Sequence, residues 1–272
     1  MRGVAAAGIV TELERLGCTD AFDSVHGSSA GACAAAYFIS QRSEDGAEIF
    51  MKDIATRRVV DHRRFLSQPC MVDTDYIVDT IIAERRPLNM ERIVGVSSKL
   101  FIVTTSLTSA KPVVLSGFRS SADVLTALKA SLRVPGPFEP GVAFEGDRHL
   151  DGGVAAPIAI DSAIAAGATH ILIAGTQRRK DYSERERRPL EPIILKLLYG
   201  SAVQQAYHLG AAQRRLVMGA SAFMSAKVSA IFRTDDSPLC HWHTIDQTVL
   251  ATVKRDAAAS TRRYFELSSV TT

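Results

Sequence analysis

The 272-residue sequence predicts an α/β protein with a mainly parallel sheet covered by helices on both faces. Two observations carry that expectation. Helix-period and strand-period segments alternate along the chain, and "HILIAG" at 170–175 reads as a buried strand. A hydrophobic fraction of 46% beside a charged fraction of 22% belongs to a chain that folds. The length favours one sizeable domain with additions.

The elements follow in order. Val4, Ile9, Leu13 and Leu16 share one helical face, Glu12, Glu14 and Arg15 share the other, and Gly17 marks the stop. "FDSV" is a short strand signal, the stretch from Gly27 to Gly31 a tight turn, and "AGACAAAYFIS" a small-residue helix able to lie close on a sheet. Residues 45–60 and 73–84 read as amphipathic helices. "KLFIVTTSL" and "KPVVLSG" are β-rich runs separated by a Ser-Ala-Lys turn. "ADVLTALKASLRV" is helical up to Pro135, and "PGPFEPG" is a rigid loop. "RHLDGGVAAP" turns at paired glycines before the "HILIAG" strand. Past the charged run "RRKDYSERERR" at 178–188, two long helical patterns flank a strand, "KVSAIFR". The expected division is a core over 1–175 and a mostly helical C-terminal part over 176–272 packing on it.

Several classes are disfavoured at once. A net charge of +3 is too small to argue for nucleic acid. Cys18, Cys33, Cys70 and Cys240 form no Cys-x-x-Cys pair, so neither a disulfide scaffold nor a zinc site is suggested, and a reducing compartment fits. The opening "MRGVAAAGIVTELERLG" breaks into charges too early for a signal peptide, and no apolar run approaches the ~20 residues of a spanning helix. The expected location is intracellular, either cytoplasmic or at a membrane surface.

Chemistry enters at "VHGSSAGA", residues 25–32. Gly27, Ser29 and Gly31 form Gly-x-Ser-x-Gly between a strand signal and a helix, the setting of a nucleophile elbow. Glycines two before and two after the serine remove side chains that would clash at the turn. The amide of Ala30, at the start of the helix, can stabilise an oxyanion; Ser28 is a bystander. Only 28 residues precede Ser29, too few for the strands that come before the serine of a Ser-His-Asp hydrolase. The seven histidines carry no motif, and His149, two residues before Asp151, reads as structural. A Ser-Asp pair is the arrangement left, with Asp151 at a strand end followed by Gly152 and Gly153. Burial beside Ser29 would raise that carboxyl from about 4 toward the range of a useful base.

"GSSAG" at 27–31, "ASLRVPGPFEP" at 130–140 and "LDGGVAAP" at 150–157 together resemble the patatin-like phospholipase family. The resemblance covers about residues 1–175. It implies a three-layer α/β/α fold, a histidine-free dyad of Ser29 as nucleophile and Asp151 as base, and hydrolysis of acyl esters in phospholipids, lysophospholipids or neutral glycerolipids through an acyl-enzyme. It implies no metal and no cofactor. The family's oxyanion loop ends Arg-Gly, which places Arg2 and Gly3 in those positions. The preceding glycines and first strand are absent, so a chain beginning in mid-motif is expected. The alternative is a catalytically impaired lipid-binding or scaffolding protein; acyl transfer to another acceptor shares the same serine chemistry. The expected partner is a lipid or acyl ester, with peripheral membrane contact open: the basic clusters at 57–64 and 178–188 could attract anionic headgroups, but read as solvated basic surfaces in preference. "PIILKLLYG" at 192–200 reads as a core helix in preference to a lipid-facing one.

Overall fold

The computed structural model describes residues 1–59, 72–95, 99–183, 190–218, 222–224 and 226–269. Most of the cluster at 57–64, Cys70 and the end of the charged run at 184–188 lie outside them.

The chain begins with helix α1 (Gly3–Arg15), strand β1 (Val25–Ser28) and helix α2 (Ala30–Ile39). Short helix α3 (Ser43–Glu48) continues into a π-helical turn, and Tyr76–Arg85 is π-helical as well, stacking the buried Ile77, Ile81 and Ile82. Strands β2 (Leu100–Ser106) and β3 (Pro112–Leu115) precede α4 (Ser121–Ser131), whose start is a capping box between Ser120 and Asp123. Then come β4 (Val142–Phe144), β5 (Asp147–Asp151), α5 (Ile160–Ala165) and β6 (His170–Arg178). Beyond these lie α6 (Arg179–Ser183), α7 (Glu191–Met218), β7 (Ala222–Phe223), β8 (Ala226–Arg233) and α8 (Gln247–Ser269).

Strand β1 runs parallel to β2, and the two longest strands, β6 and β8, are parallel to each other. Antiparallel neighbours complete a mixed arrangement: β3 and β5 pair with β2, β4 with β5, and β7 with β8. The β4–β5 hairpin has a local cause. Glu145 and Gly146 both take positive φ, 48° and 81°, the two-residue turn that suits right-twisted antiparallel strands.

Alternation along β1 shows how helices come to cover both faces. A β-carbon on Gly27 would meet the backbone of α2. The next side chain back, His26, therefore points the other way, and its Nδ1 lies 2.7 Å from Ser162 in α5. The fold is a three-layer α/β/α arrangement.

The C-terminal residues complete the layers. Residue 175 lies inside β6, whose partner β8 comes from beyond 176. Helix α8 packs along α1, and this changes one expectation: Glu12, assigned to an outer face, is buried. Its carboxylate is held by Arg262 at 2.9 Å and Arg15 at 2.5 Å, so the charged side of α1 is covered at Glu12 while Arg15 stays exposed. Strand β1 also begins at Val25, three residues after the "FDSV" signal opens, because pairing with Leu100 to Val103 of β2 sets its limits. Among the described residues no helix is long and apolar enough to cross a membrane.

Candidate active site

Ser29 sits between β1 and α2 with φ 56° and ψ −129°. Positive φ in a residue with a β-carbon costs on the order of 1–3 kcal/mol, so the surrounding structure must impose it. Two contacts do. Its N–H donates to Ser131 Oγ at 2.8 Å, and Ser131 Oγ donates to the Val103 carbonyl of β2 at 2.7 Å. The helix closes behind it, with the amides of Ala32 and Cys33 donating to the Ser29 carbonyl.

The two motif glycines differ. A β-carbon on Gly27 would lie 2.5 Å from the Ala32 Cα, a distance that backbone atoms cannot tolerate. At Gly31 nothing lies within 4 Å of that position. The clash anticipated at both glycines thus exists only at Gly27, because Gly31 already sits in α2 with its open side outward. Ser28 Oγ is buried without a hydrogen-bond partner among the described residues, packed near Gly152.

Across the turn, Ser29 Oγ donates to Asp151 Oδ2 at 2.6 Å, joining residues 122 positions apart. The other carboxylate oxygen accepts the Gly153 N–H at 2.7 Å. Backbone bonds immobilise Asp151 itself: its N–H donates to the Arg133 carbonyl, and its carbonyl accepts from Thr105 Oγ1. Thr105 Oγ1 in turn accepts the Ala155 N–H, which shapes the turn after the strand. Gly152 is obligatory there, since a β-carbon would lie 2.1 Å from the Val103 carbonyl oxygen. Burial pushes the Asp151 carboxyl up to about 6; the bonds from Ser29 and Gly153 oppose that, nearby Glu191 adds to it, and Arg2 opposes it.

The N-terminal candidates converge on the same place. A β-carbon on Gly3 would be 2.8 Å from that of Ala30, so the starts of α1 and α2 meet beside the elbow. Flanking carbonyls take some of the first amides, Val4 and Ala5 donating to Met1 and Arg2, and Ala32 and Cys33 to Ser29, and the positive dipole ends of both helices lie at this corner. Arg2 is near enough for its charge to act on Asp151.

The histidines stand apart from this pair. His149 is buried between Thr104 Oγ1 at 2.9 Å and the Phe144 carbonyl at 3.2 Å, fastening β5 to its neighbours. His26 stacks on Phe101 and bonds Ser24 and Ser162, and burial pushes its imidazole down to about 4. His62 lies outside the described residues. Among them, no group of three His, Cys, Asp or Glu side chains is arranged to hold a metal ion.

Sequence reasoning did not single out Ser131, Thr105, Tyr199 or Glu191. Ser131 lies inside the quoted "ASLRVPGPFEP" run, but nothing local distinguishes it from any helical serine. Tyr199 of α7 bonds the loop after it, through the carbonyls of Gly136 and Glu139 and the Gly136 N–H. Glu191 accepts from Tyr207 at 2.8 Å across the kink at Gly200.

Residues 1–164 match the family described as "Patatin-like phospholipase". The chain is also similar to "Uncharacterized protein YjjU" of Escherichia coli (strain K12), at 26% identity over 178 residues, 64% of this chain and 49% of that protein. The chain thus spans about half the length of the curated relative it matches.

Proposed function

The chain belongs to the patatin-like phospholipase family, and from that premise we propose that it hydrolyses acyl esters of lipids with Ser29 as nucleophile and Asp151 as base. The observation that carries this reading is the 2.6 Å bond from Ser29 Oγ to Asp151 Oδ2 at a strained strand-to-helix turn. A turn held at positive φ for packing alone would use glycine; a serine there presents its hydroxyl.

The steps follow from the atoms present. Ser29 Oγ attacks the ester carbonyl carbon while its proton passes to Asp151 Oδ2. The carbonyl oxygen becomes an oxyanion, stabilised by the Ala30 amide, with the positive start of α1 at Arg2 and Gly3 and the Arg2 charge nearby. Collapse expels the alcohol, which takes the proton from Asp151 and leaves the acyl group on Ser29. A water then gives its proton to Asp151 and attacks the acyl carbon; Ser29 leaves and recovers the proton. A base near 6 is ionised at neutral pH yet basic enough to share in proton transfer.

Turnover of p-nitrophenyl butyrate by the purified protein tests this. Wild type is expected to hydrolyse it, with Ser29→Ala and Asp151→Asn each slower by about a thousandfold or more. A folded wild type no faster than Ser29→Ala would overturn the enzymatic reading and leave the lipid-binding one. Membrane-surface contact is part of the same proposal, since a lipid acyl ester is presented at an interface.

A further inference from the structure

The first half of α7 is apolar on opposite sides. Leu195 is buried, clusters with Val154 from the turn after Asp151, and shares its side with Tyr199, which bonds the 136–139 loop. At helical spacing, Ile193 and Leu197 stand on the reverse side, with Leu190 just before the helix in line with them. These three are 51%, 79% and 65% exposed, and the tethered loop carries Phe138 at 66% exposed. The core-helix reading of "PIILKLLYG" therefore holds for one side alone, because nothing among the described residues packs over the other.

We infer that the outer face of Leu190, Ile193 and Leu197, with the exposed Phe138 of the loop tethered to the same helix, is the surface by which the protein seats itself on a lipid layer. The inference rests on the lipid hydrolase reading for its choice of occupant. Three features favour lipid. The helix that carries the patch is seated on the candidate site by its opposite side: Leu195 packs on the Asp151 turn, and Tyr199 tethers the loop bearing Phe138, which follows Arg133, whose carbonyl receives the Asp151 N–H. Four side chains expose several hundred Å² at most, well below the ~800 Å² per partner of a stable protein interface, yet enough apolar surface to enter the acyl boundary of a membrane. The exposed Lys196 lies at the edge of the stripe, where its ammonium can stay at the headgroups while its stem follows the apolar face.

Sedimentation with phosphatidylcholine vesicles tests the assignment, comparing wild type with the double variant Ile193→Ser, Leu197→Ser. Both positions are exposed, so the fold is expected to survive, as a thermal melt will show. The expected result is at least a tenfold loss of vesicle partitioning in the variant, with p-nitrophenyl butyrate turnover unchanged within about twofold. Equal partitioning of the two proteins, absence of wild-type binding, or a wild-type dimer that the variant converts to monomer would each overturn it. The arms separate the two proposals. Face-dependent binding without Ser29-dependent turnover sinks the hydrolase and keeps the docking face, and Ser29-dependent turnover without face-dependent binding does the reverse.

Discussion

The backbone N–H of Ser29 and the side chain of Ser131 are joined at 2.8 Å, and Ser131 passes the bond on to the β2 carbonyl of Val103. One buried hydroxyl thereby ties the strained turn to the sheet. Ser131→Ala removes the acceptor and leaves a half-buried N–H unpaired, at a cost of about 1–3 kcal/mol. The variant should melt lower. Because the relaxed turn no longer aims Oγ at Asp151, kcat for p-nitrophenyl butyrate should fall about tenfold or more with KM little changed.

On the proposed mechanism, the raised carboxyl of Asp151 is expected to set the pH dependence of turnover. With its carboxyl at about 6, the base is protonated in acid, so kcat/KM should climb through pH 6 and level above pH 7. The cause is burial, so the limb should persist in high salt, which screens exposed charges far more than buried ones. An acidic limb near pH 4, the ordinary carboxyl value, would contradict the assignment.

The same burial makes Asp151 a source of instability. Its folded pKa lies above its unfolded one, so the folded state binds more protons between about pH 4 and pH 6, and stability falls as pH rises through that window. Asp151→Asn keeps an acceptor for the Gly153 N–H and removes the buried charge. At pH 8 it should unfold above wild type by on the order of 2 kcal/mol. At pH 4 the difference should vanish, and paired thermal melts at the two pH values read it directly.

Gly27 and Gly31 should respond oppositely to alanine. Gly27→Ala drives a methyl to within 2.5 Å of the α2 backbone, which must shift, and a loss of about 3 kcal/mol or more with poor folding is expected. Gly31→Ala adds a methyl where nothing lies within 4 Å and replaces glycine with the best helix former, a change worth up to about 1 kcal/mol in favour of folding. Thermal midpoints of the two variants provide the comparison.

Much of the architecture was legible because it is local. Helical spacing of Val4, Ile9 and Leu13 and the Gly-x-Ser-x-Gly turn are encoded within a dozen residues, and each formed where its pattern lay. Features that failed to show locally depend on what lies opposite. Glu12 reads as solvent-facing until α8 covers it, and "PIILKLLYG" reads as core although one side of it has no cover among the described residues.

For the candidate site, the sequence by itself picked out the candidate residues: a serine framed by glycines and an aspartate followed by two more. Tertiary structure alone decided that Ser29 and Asp151 meet at 2.6 Å across 122 residues, and that Ser131 and Thr105 hold them there. The reason is physical. A turn's backbone preference is written in its own residues, whereas a hydrogen bond from the turn after β1 to the end of β5 exists only after β2 has paired with both strands, and a carboxyl is raised only after burial has removed its water.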